Sequence, residues 1–152
     1  RLIKSKKLYL GGIQIPFHSG LKGHSDGDVI LHAVIDGLLG AMRKKDIGTF
    51  FPDNKNKFKN IRSPKMLTPI LKILDRNNFY INNLDINLIC EKPKVSKYRD
   101  KIIKSLSNLV NLDKELINLK GKTVEKLGLI GKEKAIACEV ICSISQWKKL
   151  MS

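Results

Sequence analysis

The sequence is short of what extracellular, membrane and fibrous proteins need. Its cysteines are Cys90, Cys138 and Cys142, an odd number with no CxxC pair. That argues against a disulfide framework and for a reducing compartment. Cys138 and Cys142 lie in an apolar stretch and read as small core hydrophobes, since a zinc–thiolate site needs more ligands nearby. No run of about 18 apolar residues occurs, so no transmembrane helix is expected. The first residue is Arg1 rather than Met, and no apolar leader follows it. The GxxxxGK[ST] spacing of a P-loop is missing. Aromatic residues are 6%, and arginines number 5 against 24 lysines. Arginine is the preferred reader of base edges and phosphate forks, so sequence-specific DNA reading has weak support.

Acidic residues are also scarce. Asp and Glu total 14 against 29 Lys and Arg, which leaves +15 over 152 residues. A positive field of that size draws polyanions: nucleic acid, phosphorylated small molecules or an acidic membrane surface. The lysines are spread along the chain and accompanied by 11 Asn and 19 Ile, all with A/T-rich codons. A solvated surface shaped by codon bias is therefore the plainer reading of the charge. The length suits one domain, and 42% hydrophobic residues excludes a disordered tail.

Along the chain, Leu8–Leu10 and Ile13–Ile15 flank Gly11-Gly12, which predicts a hairpin. A polar, glycine-rich stretch from Gly20 to Asp28 follows. Val29, Leu31, His32, Ile35, Leu38 and Leu39 recur at helical spacing, and Ser25 with Asp28 resembles a capping box. Residues 46–59 have loop character. Ser63-Pro64 reads as an N-cap and a first-turn proline, opening a helix striped by Leu67, Ile70, Leu71 and Leu74, although Pro69 lies inside it. Period-2 alternation predicts a strand over about 82–91. A third helix runs through Tyr98, Ile102, Leu106, Leu109 and Val110. A strand over 116–123, a loop over 124–133 and a last strand over 135–145 complete an α+β domain with about three helices.

The densest chemistry lies in His24-Ser25-Asp26-Gly27-Asp28, continuing to His32 and Asp36. Asp28, His32 and Asp36 are spaced to share one helix face. They could hold a metal, with an Asp orienting the histidine. Equally, they could be an ordinary acidic first turn beside one half-buried His. His24 and Ser25 precede the helix, where backbone N–H groups suit either a phosphate or a simple cap. Asp46 to Asp53 carries two carboxylates and two aromatics, and its plainer reading is a packed turn. Lys120 to Gly128 sets Glu125 among lysines beside Thr123. That combination could seat a Mg²⁺–phosphate pair or be a solvated loop.

Taken in order, several segments resemble the 2-C-methyl-D-erythritol 2,4-cyclodiphosphate synthases of the methylerythritol-phosphate isoprenoid pathway. The matching residues are Leu10-Gly11-Gly12 with Ile15-Pro16, His24-Ser25-Asp26-Gly27-Asp28 with Leu31-His32 and Asp36, and Asp46-Ile47-Gly48. Further along come Phe51-Pro52-Asp53, Pro93-Lys94, Glu125-Lys126-Leu127-Gly128 and Ile136-Ala137-Cys138-Glu139. The resemblance covers residues 1–152 as one synthase domain. It implies an α+β fold with a mixed sheet and helices on one side, in a homotrimer with active sites between subunits. It also implies a cytidine-diphosphate-type substrate cyclised with release of CMP, and no nucleic-acid or membrane partner. By the same resemblance His32 is a Zn²⁺ ligand (or takes another divalent transition metal) and Glu125 holds Mg²⁺ or Mn²⁺. His24, Thr123 and Glu125 form the catalytic set. His24 and Ser25 contact phosphates, Asp46 and Gly48 the methylerythritol hydroxyls, with Phe51 and Asp53 beside them. Cys90, Pro93, Lys94, Gly121, Lys122 and Thr123 line the cytidine side.

The departures are specific. The family's N-terminal Asp-x-His, which supplies the other two zinc ligands, is not in this chain. Its omission from the sequence is the favoured account, a non-catalytic trimer that lost zinc the other. Lys122 and Val124 stand in a stretch that is Thr-rich in some members, Lys55 stands for a second Asp, and Lys132 replaces an Arg on the trimer axis. Glu139 matches the family there. A basic nucleic-acid-binding module is the competing class. The A/T-rich composition suggests a plastid, with a bacterial cytoplasm as the alternative.

Overall fold

The computed structural model describes residues 1–147. Four short strands come first: β1 (Leu2–Ile3), β2 (Leu8–Leu10), β3 (Ile13–Ile15) and β4 (Gly20–Leu21). β2 and β3 form the expected hairpin, with Leu10 opposite Ile13. Its two-residue turn needs positive φ at both positions, and Gly11 (φ 61°) and Gly12 (φ 88°) supply it. Strand β1 pairs with β4.

Helix α1 (Val29–Ala41) buries Ile30, Leu31, Val34, Ile35, Leu38 and Leu39. A Cβ added at Gly37 would lie 3.4 Å from Cys142 Sγ, so this helix packs closely on the last strand. Helix α2 (Ile47–Phe50) and a 3₁₀ turn over Asn56–Phe58 occupy the stretch expected to be loop. Asp46 makes the short helix possible, because its carboxylate caps the Thr49 N–H. Helix α3 (Ser63–Arg76) buries Ser63, Met66, Leu67, Ile70 and Leu74. Pro69 does not end it: the residue is exposed, as is Lys65, whose carbonyl it deprives of an amide partner.

The main sheet has three strands in the order β6–β5–β7. Strand β5 (Phe79–Ile89) lies between β6 (Ile117–Lys122), parallel, and β7 (Ala137–Gln146), antiparallel. Leu84, Ile86, Leu88, Ile117 and Leu119 bury one face beneath α1, α3 and α4 (Arg99–Val110). The opposite face carries Asp85, Asn87, Asn118, Lys120, Glu139 and Ile141, and among the described residues no helix packs over it. A four-residue helix, α5 (Gly128–Gly131), interrupts the expected loop before β7. The chain is thus one α+β domain with a mixed sheet and three long helices on one side. Among the described residues no helix is long and apolar enough to cross a membrane.

Candidate active site

The HSDGD segment is held from three directions. Asp28, not Ser25, caps α1: its carboxylate accepts from Leu31 N at 3.1 Å. It also accepts from Gly11 N at 2.9 Å and Gly12 N at 2.6 Å, which ties α1 to the hairpin turn. Burial pushes its carboxyl up to about 6, although three N–H donors favour the charged form. Asp26 accepts from Arg62 Nε at 2.8 Å and Ser63 N at 3.0 Å, and the Ser63 hydroxyl donates to it as well. Ser63 therefore opens α3 as its first residue; the expected N-cap falls on Arg62, which makes no capping bond. Lys6 Nζ donates to the carbonyls of Gly23 at 2.7 Å and Ser25 at 3.0 Å.

The expected capping box is absent because Ser25 is used otherwise. Its hydroxyl accepts from Gly27 N and lies 3.1 Å from His32 Nε2. The expected stack of Asp28, His32 and Asp36 is also corrected. Asp28 turns to the hairpin amides, and Asp36 accepts from Ile47 N at 2.8 Å, holding α2 to α1. Burial lowers the His32 pKa, partly opposed by Asp26, Asp36 and Asp53, so the ring keeps a lone pair at neutral pH.

His24, Ser25, His32, Gly48, Phe51 and Asp53 line one cavity of about 380 Å³. His24 Nε2 is buried there with no hydrogen-bond partner. Asp46 stands at the start of α2, its Oδ1 occupied by Thr49 N and Thr49 Oγ1, and it does not line that cavity.

Cys90, Pro93, Lys94, Gly121, Lys122 and Thr123 line a second cavity of about 290 Å³, together with Glu91. The parallel pairing of β5 and β6 creates it, since Ile89 lies opposite Lys122 and Cys90 N donates to Lys122 O at 2.9 Å. Pro93 follows a cis peptide bond. Gly121 is required by packing: a Cβ there would come within 2.8 Å of Val95 Cβ. Burial pushes the Cys90 thiol up to about 11, so it is neutral and suited to backbone-type contacts rather than nucleophilic attack. Glu125 lies on the exposed loop beyond, where Thr123 Oγ1 donates to Glu125 Oε1 at 2.9 Å. The two cavities share no residue.

A family model, the YgbB family, matches residues 1–145. The chain belongs to this family. It is 45% identical over 144 residues to the 2-C-methyl-D-erythritol 2,4-cyclodiphosphate synthase of Clostridium botulinum, covering 95% of this chain and 92% of that protein. It is 55% identical to the bifunctional enzyme IspD/IspF of Pelagibacter ubique, across 95% of this chain, and spans 39% of that protein's length. Among solved structures, the CDP complex of Plasmodium falciparum IspF superposes with a TM-score of 0.84 at 40% identity, covering 97% of this chain and 88% of that one. With a cyclodiphosphate synthase at this identity over nearly the whole length, the YgbB chain is an enzyme of the lyase type.

The donor sets differ in how well they suit metals. Among the described residues no group of three His, Cys, Asp or Glu side chains could hold a metal ion. A protein zinc site takes three or more such ligands, so His32 by itself does not make one. One carboxylate, Glu125, is what Mg²⁺ needs when substrate phosphates supply further oxygens. Sequence reasoning passed over Lys6, Arg62 and Glu91. Lys6 and Arg62 looked like members of a diffuse charge, and Glu91 like the polar end of a strand.

Proposed function

We propose that this YgbB chain converts 4-diphosphocytidyl-2-C-methyl-D-erythritol 2-phosphate to 2-C-methyl-D-erythritol 2,4-cyclodiphosphate and CMP. The observation that carries this is that His24, Ser25, His32, Gly48 and Asp53 line one cavity built around the family's HSDGD segment. The CDP complex of the Plasmodium relative supports a cytidine-diphosphate-type ligand. The 2-phosphate oxygen attacks the β-phosphorus of the same molecule, and the bond to the α-phosphate oxygen breaks with its electron pair leaving on CMP. Both reactants are in one molecule, so the work is orientation and charge neutralisation.

In this reading His24 and the Ser25 hydroxyl contact phosphate oxygens, and Lys94 and Lys122 offset charge on the nucleotide side. Gly48, Phe51 and Asp53 surround the methylerythritol end, and Asp46, two residues before Gly48 and outside the cavity lining, has Oδ2 to offer a hydroxyl at its edge because both of its bonds use Oδ1. Cys90, Pro93, Gly121 and Thr123 enclose the cytidine diphosphate. Mg²⁺ or Mn²⁺ would be held by Glu125, and when bound it neutralises diphosphate charge. His32 is the residue of this chain proposed to contribute one ligand to Zn²⁺ or another divalent transition metal. The separation of the two cavities within one chain supports a homotrimer with each site completed by a neighbour. The bacterial relatives at 55% and 45% identity favour a bacterial cytoplasm over a plastid.

The test is CMP release from that substrate, with Zn²⁺ and Mg²⁺ supplied. His32→Ala is expected to abolish it, and full turnover by that variant would remove the zinc assignment. Tight, salt-sensitive RNA binding without CMP release would favour the nucleic-acid class instead.

A further inference from the structure

The loop that carries Thr123 and Glu125 has an unusual backbone. Glu125 (φ 52°) and Lys126 (φ 62°) are consecutive non-glycine residues in the left-handed region, and Gly128 (φ 61°) follows. Such a run persists only where the surroundings over-determine it, and it concentrates at functional sites. Here the determinant is one side chain. Glu91 Oε1 accepts from Val124 N and from Lys126 N, each at 3.1 Å. Those amides bracket Glu125, and Leu127 N donates to Val124 O at 2.9 Å to close the turn. Glu91 is well placed to do this. It lies two residues past the end of β5, beside the point where β6 releases the loop, and Cys90 N→Lys122 O extends the pairing up to it.

We propose that Glu91 is a positioning residue that holds the Thr123–Lys126 loop in its left-handed form and so aims the Glu125 carboxylate at the metal-bound diphosphate. The proposal rests on the function given above. It makes the nucleotide subsite a single unit: Cys90, Pro93 and Lys94 flank Glu91 in sequence, and the Thr123–Glu125 loop meets it in space. Glu91 acts on the loop through Oε1, which takes both backbone amides. Its oxygen is consumed by the backbone, so the feature that matters is an acceptor at Oε1 rather than a negative charge.

That distinction sets the experiment. Full-length wild type, Glu91→Ala and Glu91→Gln are titrated calorimetrically with CDP, with Mg²⁺ and with EDTA, and amide exchange is followed at Val124 and Lys126. Removing a group that orients a metal ligand typically weakens the metal contribution about 10- to 100-fold. Glu91→Ala is therefore expected to lose about tenfold or more of the Mg²⁺-dependent gain in CDP affinity, read as the ratio of affinities with Mg²⁺ and with EDTA for the same variant. Glu91→Gln keeps an oxygen acceptor and is expected to restore most of the gain and the slow exchange of both amides. An undiminished Mg²⁺-dependent gain in Glu91→Ala overturns the proposal. If wild type itself binds no CDP, the proposed function fails, and exchange alone then decides the role of Glu91. Amide protection lost in Ala and kept in Gln supports the hold, and protection unchanged in Ala overturns it.

Discussion

At the scale of single residues, the two aspartates of the HSDGD segment do different work. Asp26 satisfies the start of α3 through Ser63 and pairs with Arg62, whose guanidinium also lies 4.0 Å over the Tyr9 ring. Asp26→Ala strands the Ser63 amide and hydroxyl together, and a loss of about 2–4 kcal/mol in denaturant unfolding is expected. Asp28 ties α1 to the hairpin and is fully buried. Its folded pKa, about 6, lies above the ordinary carboxyl value of 3.8, so the folded chain binds more protons in that window. The contribution of Asp28 to stability is therefore full below about pH 3.8 and falls as pH rises through about 6, by up to about 3 kcal/mol. The slope of stability against pH from 4 to 7 should flatten in Asp28→Asn. A variant with the same slope as wild type would show that the carboxylate ionises normally in the folded state.

At the scale of elements, the long helices and the long strands followed the period of their apolar residues, as expected from α1, α3, α4 and β5. Short elements did not. The two four-residue helices α2 and α5 have too few residues for a periodicity, and α2 exists because Asp46 caps it and Asp36 of α1 holds its first amide. Sequence also misplaced the caps of α1 and α3. In both places a side chain that could cap locally was recruited by a distant partner, His32 for Ser25 and Asp26 for Ser63. The hairpin turn allows a sharper test. A Cβ at Gly11 would lie 2.6 Å from Ile102 Cγ2 on α4, and φ there is 61°. Gly11→Ala should cost about 2 kcal/mol or more in thermal or denaturant unfolding, through strain and overpacking together. Gly40→Ala, inside α1 with open space around it, should be neutral or mildly stabilising.

At the scale of the whole molecule, one face of the sheet is covered by helices and the other is bare. Ile141, midway along the edge strand β7, is 72% exposed on that face. A homotrimer would bury it. Ile141→Asp is accordingly expected to shift the sedimenting species from trimer to monomer with circular dichroism unchanged, and to abolish CMP release. A trimer that survives the change would take this face out of the interface. The +15 charge belongs to this scale as well. It is long-ranged and salt-screened, so raising ionic strength should raise KM for the phosphorylated substrate more than it lowers kcat.

By itself the sequence determined the α+β class, the long elements, the family and the residues of its shared motifs. These are written in local signals: periodicity, turn glycines and a distinctive block of histidine, serine and aspartate. Tertiary structure decided which partner each polar side chain chose. Asp28 could have faced His32 along the helix, yet it turned to two hairpin amides sixteen and seventeen residues away. Glu91 looked like the end of a strand until parallel pairing set it against a loop more than thirty residues on. The physical reason is the same in both cases. A buried or strained N–H must find an acceptor, and the nearest acceptor in space is set by strand register and helix packing, which no short window of sequence contains.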